Sequence, residues 1–350
     1  MKNYFPFLLL IFFTLCAFGK APKEGLLWKI SGNGLTQPSY LFGTWHGDTE
    51  LRNQSFLDSV PGFHASFRSV KQFMCERTLD EASNSLNSSQ DKLRAAMLLP
   101  KDTTYSDLLD KSQISILDSF LTKKLKVTSD KMNLRPNALS YILTQIVIED
   151  TVKSRIRQKV KILESSTRLP DSVVTARREQ LYSEQDIMDY ALLKKAKAKG
   201  LELVGLDNLI GYQPVDLFTS DVSLKEQADS LVQCIARSFF DHWVDSTNFK
   251  TGALRDAYRE QNIHKVKYEK QQQLDEIVKM DSRHRIKMNE MMQSMLTDRN
   301  KDWMKHIPTY IKNKSTFIAV GAVHLSGEEG LIQLLRDAGY TVEPMQMIYY

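Results

Sequence analysis

The sequence predicts an α/β fold: a central mixed β-sheet with flanking helices and a mostly helical insertion. Three observations predict it. Apolar β-like runs lie near both ends of the chain, and the first two flank the turn signal Gly32-Asn33-Gly34, as a β-hairpin does. Near the C-terminus the order is strand, tight loop, helix, strand, which argues a parallel α/β unit. Between them, residues 91–185 carry apolar positions at helical spacing.

The elements follow in order. Leu26–Ile30 and Ser39–Phe42 are the hairpin strands. Ser69–Cys75 is a third strand that ends at Glu76, and the Ser- and Asn-rich residues 82–90 read as a loop. Asp91–Leu99, Thr104–Val127 and Arg135–Ile156 are helical; in the last, Tyr141, Ile142, Gln145, Ile146 and Ile148 lie close to one face. The α/β pattern resumes at Asp186–Lys199, an amphipathic helix stopped by Gly200. Leu201–Leu206 is the next strand, and helix follows from about Ser223 to Phe240 and across 253–304. Thr316–Val320 is the best buried-strand candidate. Ser326 and Glu329 form an S-x-x-E capping box for a helix that buries Leu331, Leu334 and Leu335 and ends at Gly339. Tyr340-Thr341-Val342 starts a final strand.

The first residues read as an export signal. Lys2 is a basic start, and Phe5–Phe18 is apolar apart from Pro6 and Thr14. That run is short of the ~20 apolar residues a bilayer span needs. Ala17-Phe18-Gly19 supplies small residues for cleavage, so the mature chain starts at Lys20 and 20–350 forms one domain. No later segment is apolar enough to cross a membrane, and the product is periplasmic or extracellular. Leu15 is bulky where lipidation of Cys16 would want a small residue. Cys75 and Cys234 then remain; they could pair after export, but read as buried small hydrophobes, and no CxxC offers a thiolate zinc site. With 47 Lys+Arg against 42 Asp+Glu the net charge is +5, too even a balance for a nucleic-acid binder. Hydrophobic residues at 42% and charged at 25% exclude collagen, coiled coil and wholesale disorder.

Common catalytic signatures are missing: H-E-x-x-H, G-x-S-x-G, the P-loop and the Rossmann glycines. One pattern recurs. Gly43-Thr44-Trp45-His46 and Gly321-Ala322-Val323-His324 each follow an apolar strand. With 15 Gly and 7 His, chance gives about 0.3 such spacings, so two in that context call for a reason. Glycine lets the chain turn where a strand ends, and the histidine then sits at the carboxyl edge of the sheet, where ligands bind. A helix start after His324 would keep that ring neutral. Glu76 also closes a strand, and two histidines with a carboxylate suit a divalent metal or a general base. The plain alternative is two separate loop histidines and a surface carboxylate. Asp48 reads as a loop acid; His64, His242, His264, His284 and His306 lack ligand spacing. Met288, Met291, Met292, Met295 and Leu296 read as core packing or a helix over the cleft.

These motifs resemble those of the TraB/GumN family, prokaryotic relatives of the Tiki metalloproteases that act on Wnt proteins. The matching segments run from Leu26 to the C-terminus: Leu27-Trp28-Lys29-Ile30, Ser39 to His46, Glu76, Leu134-Arg135-Pro136, Gly200 to Asp207, Asp298-Arg299-Asn300 with Trp303, Ala319 to Leu331, Leu334-Leu335-Arg336 and Gly339-Tyr340. The resemblance implies that His46, His324 and Glu76 hold one divalent cation, manganese or cobalt before zinc. It further implies that Arg299 and Asn300 face that site as catalytic groups, the guanidinium holding a substrate carbonyl or oxyanion. Glu76 would be ligand or general base, not both. The family more often has Glu-Thr where this chain has Asp207-Asn208, and aspartate is one methylene shorter.

The leading expectation is an exported metal-dependent hydrolase, a metallopeptidase acting on a peptide or protein. The alternative is a non-catalytic peptide-binding or signal-silencing protein on the same scaffold. A third is a hydrolase of esters or other small molecules.

Overall fold

The structure is a computed structural model that describes residues 24–46, 51, 54–78, 94–165, 170–175, 188–210, 222–238, 252–280 and 292–345. The expected export signal at 1–19, the loop at 82–90, Asp48, His242, His284, Met288 and Met291 lie outside these residues.

Six strands form one mixed sheet: β1 (Leu27–Ser31), β2 (Ser39–Thr44), β3 (Gln72–Cys75), β4 (Glu202–Gly205), β5 (Thr316–Gly321) and β6 (Thr341–Pro344). Their order is β4-β3-β5-β2-β1-β6. The predicted hairpin is present, with Leu27 opposite Phe42 and Ile30 opposite Ser39. Its turn places Gly32, Asn33 and Gly34 at φ 78°, 45° and 78°, a conformation that glycine and asparagine accept most readily. β6 pairs antiparallel on the free side of β1. The other contacts, β2 with β5, β5 with β3 and β3 with β4, are parallel.

Sequence and burial agree along this sheet. Every residue of β2, β3 and β5 is buried, the mark of parallel strands covered on both faces. β1 and β6 mix buried and exposed positions, as flanking strands do. One face is packed by aromatic rings. Phe42 meets Phe63 edge-on at 5.1 Å, and Phe317 meets Phe63 at 5.5 Å and Phe67 at 5.2 Å. Phe63 and Phe67 sit one turn apart on the helix Phe63–Ser69, which this contact docks on the sheet.

That helix is a correction. The predicted third strand began at Ser69, but Ser69 ends a helix and β3 starts at Gln72. The helix Gln54–Ser59 was also not foreseen. Both are short, and tertiary contact rather than a long periodic pattern defines them.

The middle of the chain is helical, with different breaks. Thr104–Val127 divides into Tyr105–Leu108 and Lys111–Leu125. Asp110 causes the division, because its Oδ1 accepts from the backbone N–H of Ser112 at 2.8 Å and of Gln113 at 2.9 Å. The next helix runs from Pro136, at the favoured first position, to Glu164, well past Ile156. Leu117, Leu121, Leu139 and Leu143 form a second core together with Leu231 and Val232 of the helix Leu224–Ala236. The first core surrounds the sheet. Among the described residues no helix is long and apolar enough to cross a membrane.

The expected capping box at Ser326 does not form. The last helix is Leu331–Asp337, with Gly330 at its N-cap. Ser326 Oγ donates to the Ile263 carbonyl at 3.2 Å, and Glu329 pairs with Lys301 at 2.6 Å. Asn300 Nδ2 donates to the carbonyls of both His324 and Glu329, so the intervening segment is held as a turn.

The glycines of the two G-x-x-H motifs also work differently from expectation. Both lie within strands, and neither has a positive φ. Gly43 is needed for close approach: a Cβ there would lie 3.0 Å from Ala322 Cα and 3.1 Å from its Cβ. Gly43→Val should therefore force β2 and the His324 turn apart. Urea denaturation of residues 20–350 should show a loss of about 1–3 kcal/mol; an unchanged midpoint would refute the close-approach role.

Candidate metal centre

Parallel pairing delivers the site. The strands β2, β3, β4 and β5 end on one edge of the sheet, with Thr44 opposite Gly321, Cys75 opposite Ala319 and Cys75 opposite Gly205. The residues just past those ends are His46, Glu76, Asp207 and the turn Ala322–His324. Loop chemistry at that edge is what an open α/β sheet provides.

Glu76 is the junction. Its Oε2 accepts from Arg299 Nη2 at 2.7 Å, and its Oε1 accepts from the Gly321 N–H at 2.8 Å. A Cβ on Gly321 would lie 3.3 Å from Glu76 Oε1 and 3.4 Å from His46 Cε1, so the second motif's glycine keeps the space between them open. Burial opposes ionisation of Glu76. His324, Arg299, His46 and the Gly321 N–H outweigh it and hold the carboxyl down at about 2. His324 is itself neutral near pH 7, so Arg299 is the permanent cation among these.

Arg299 is nearly enclosed, with only 9% of its side chain exposed. Nε and Nη2 donate to Asp207 at 2.9–3.2 Å, Nη2 also to Glu76, and Nη1 to the Met295 carbonyl at 3.1 Å, with His324 Nε2 at 3.4 Å. The guanidinium also lies over the Trp303 ring, 4.6 Å from its centroid. Trp303 Nε1 in turn donates to Asp207 Oδ1 at 3.1 Å. Asp207, despite its shorter side chain, is thus the carboxylate behind Arg299. Burial pushes its pKa up, and the guanidinium works against that. A π-helical turn, Gln293–Asp298, leads into the helix Arg299–Met304 that carries Arg299, Asn300 and Trp303; such turns recur at functional sites.

His324 is buried, and its ring is oriented from behind. Asn300 Oδ1 lies 2.7 Å from His324 Nδ1. An amide oxygen only accepts, so Nδ1 carries the hydrogen and the Nε2 lone pair accepts from Arg299 Nη1 at 3.4 Å, with Glu76 Oε1 3.9 Å away. Burial lowers the His324 pKa to about 4. The expected neutral ring is therefore found, but burial causes it rather than a helix start.

His46 occupies the open side, with 49% of its side chain exposed. Its Nε2 lies 2.8 Å from Asp189 Oδ2 and 3.3 Å from Thr44 Oγ1. Thr44 Oγ1 donates to Asp189 Oδ1 at 2.9 Å. Asp189 was not foreseen. It stands in the first turn of the helix Met188–Ala198, far from the motifs in sequence, and no local pattern marks it.

The donor set fits a divalent cation. His46, Glu76 and Asp189 each offer one ligand atom within 4.8 Å of the others. Asp189 Oδ2 is buried and takes no aligned hydrogen bond, so it has a lone pair to give. Glu76, Asp189 and Asp207 bring three carboxylates to this edge, and Arg299 pairs with Glu76 and Asp207. Imidazole and carboxylate together suit manganese, cobalt or zinc. His324 stands outside that group of three, though its Nε2 borders Glu76. Cys75 is not a donor, since burial pushes its thiol pKa up and its Sγ contacts the Arg77 carbonyl. Both described cysteines are free.

Two of these groups set a pH dependence. His324 falls from 6.5 to about 4 on folding and Glu76 from 4.5 to about 2. In both cases the unfolded chain binds more protons, so stability is full above the unfolded value and lost as pH falls. In chelator, urea denaturation should show a loss of ~3 kcal/mol between pH 7 and pH 4 from His324 alone. His324→Gln should flatten that window and leave the steeper loss below it; an equal slope in both proteins would contradict the buried neutral ring.

The TraB/PrgY/gumN family model matches residues 26–344. No curated protein and no solved structure matches the chain. With nearly its whole length covered, the chain belongs to the TraB/PrgY/gumN family.

Proposed function

We propose that this chain is an exported metal-dependent hydrolase that cleaves peptides. The observation that carries the reading is the convergence of His46, Glu76 and Asp189 beside a buried, neutral His324. His46, Glu76 and Asp189 would hold the cation, and the buried His324 ring, whose Nε2 faces Arg299 Nη1, closes the inner side. When bound, a divalent cation acts as a Lewis acid that polarises a carbonyl and acidifies water.

The remaining residues position and exclude. Glu76 is clamped by two donors, which suits a ligand better than a mobile general base. Arg299 has all of its donors engaged by protein groups, so its role is to hold Glu76 and supply fixed positive charge, not to grip a substrate carbonyl. Asn300 sets the tautomer of His324 and touches the reaction only through it. Thr44 orients Asp189. Substrate enters past His46, the exposed member of the set. Export rests on Lys2 and the apolar run Phe5–Phe18, with a mature start at Lys20.

The mature chain, incubated with a mixed peptide library, should cleave in manganese or cobalt and stop in chelator. Asp189→Asn should abolish cleavage, and Thr44→Val should weaken metal affinity by about 10–100-fold. Peptide retention without cleavage under every metal would replace this reading with the binding-protein alternative.

A further inference from the structure

A cavity of about 210 Å³ lies behind the His324 turn, walled by the helix Ile263–Met280, the π-helical turn and the loop that carries Val323 and Glu329. Its surface is of two kinds. Leu274, Leu296 and Val323 are apolar, whereas Lys267 and Lys270 bring ammonium groups. The two lysines differ. Lys267 Nζ donates to the Ser326 carbonyl at 2.9 Å. Lys270 is half-buried, and among the described residues it has no hydrogen-bond or ion-pair partner. Glu329 is the only acid among the described residues that line the cavity, and it is already paired with Lys301 at 2.6 Å.

An ammonium withdrawn from water without a counter-charge is costly, and a ligand can supply that charge. Burial alone accounts for the lowered pKa of Lys270, which agrees with a missing partner. The ammonium of Lys270 beside apolar walls fits an aliphatic carboxylate. The cavity is also tied to the metal centre. Asn300 lines it and hydrogen-bonds the His324 ring, and Val323 precedes His324.

We propose that this cavity is a substrate subsite for a peptide carboxylate, with Lys270 as its counter-ion. The carboxylate is a chain terminus or an acidic side chain. The assignment rests on the peptide-hydrolase reading for its substrate class, but binding can be read without turnover.

The test uses the mature chain in chelator and three fluorescent hexapeptide sets. One contains glutamate with an amidated end, one glutamine with an amidated end, and one glutamine with a free carboxylate end. Fluorescence polarisation should show at least one carboxylate set bound about ten-fold or more tighter than the neutral set, and which set wins identifies the source. Lys270→Met keeps helix propensity and aliphatic length and should erase the preference; Lys270→Arg should retain it. Circular dichroism checks that each variant is folded, and Lys270→Gln stands in if the methionine variant is not. The proposal is overturned if neutral and acidic sets bind alike, if none binds, or if the preference survives loss of the charge. A chain that binds carboxylates but never cleaves refutes the hydrolase reading alone, and cleavage without a carboxylate preference refutes the subsite alone.

Discussion

The buried guanidinium of Arg299 is the constraint on which the site depends. It binds Glu76 and Asp207, the residues that follow two adjacent parallel strands. Without it, two carboxylates would face each other with little solvent to screen them. An unpaired carboxylate in the interior is expensive, and so is an unpaired arginine, so the three groups stay charged only together. Trp303 adds a ring beneath the guanidinium and a donor to Asp207, which leaves Arg299 little freedom to reorient. The same short helix carries Asn300, whose amide fixes the His324 ring. One helix thus sets both the charge on Glu76 and the tautomer of His324.

The sheet supplies the other half. Parallel pairing of β2 with β5 brings the two G-x-x-H motifs side by side, and β3 places Glu76 on the far side of β5. Gly43 permits the close packing of the His324 turn, and Gly321 keeps side-chain bulk out of the space between Glu76 and His46. The result is asymmetric. His324, Arg299 and Asp207 form a dry wall, while His46 faces the opening. Such an arrangement would give a bound cation strong electrostatics on one side and an open approach on the other.

Much of this was legible in the sequence. The strand positions followed from apolar runs, because fully buried parallel strands leave no other pattern. The two G-x-x-H motifs and Glu76 stood directly after such runs, and so fell on one edge. Other features were hidden for physical reasons. Asp189 comes from a helix start with no motif, and only tertiary packing brings it to His46. Asp207 looked doubtful because its side chain is short, yet it needs to reach only Arg299. Ser326 and Glu329 matched a capping box, but Asn300, the Ile263 carbonyl and Lys301 claim that segment instead. The apolar period of Thr104–Val127 ran unbroken through a point where Asp110 starts a new helix.

His46, Glu76 and Asp189, from three separate parts of the chain, converge on one candidate cation site. Anomalous X-ray diffraction at the manganese edge, on crystals of residues 20–350 grown in manganese, shows whether a cation sits there. One strong peak bounded by His46, Glu76 and Asp189 is expected, with Arg299 still bound to Glu76. No peak at saturating manganese, or a peak away from these residues, would contradict it.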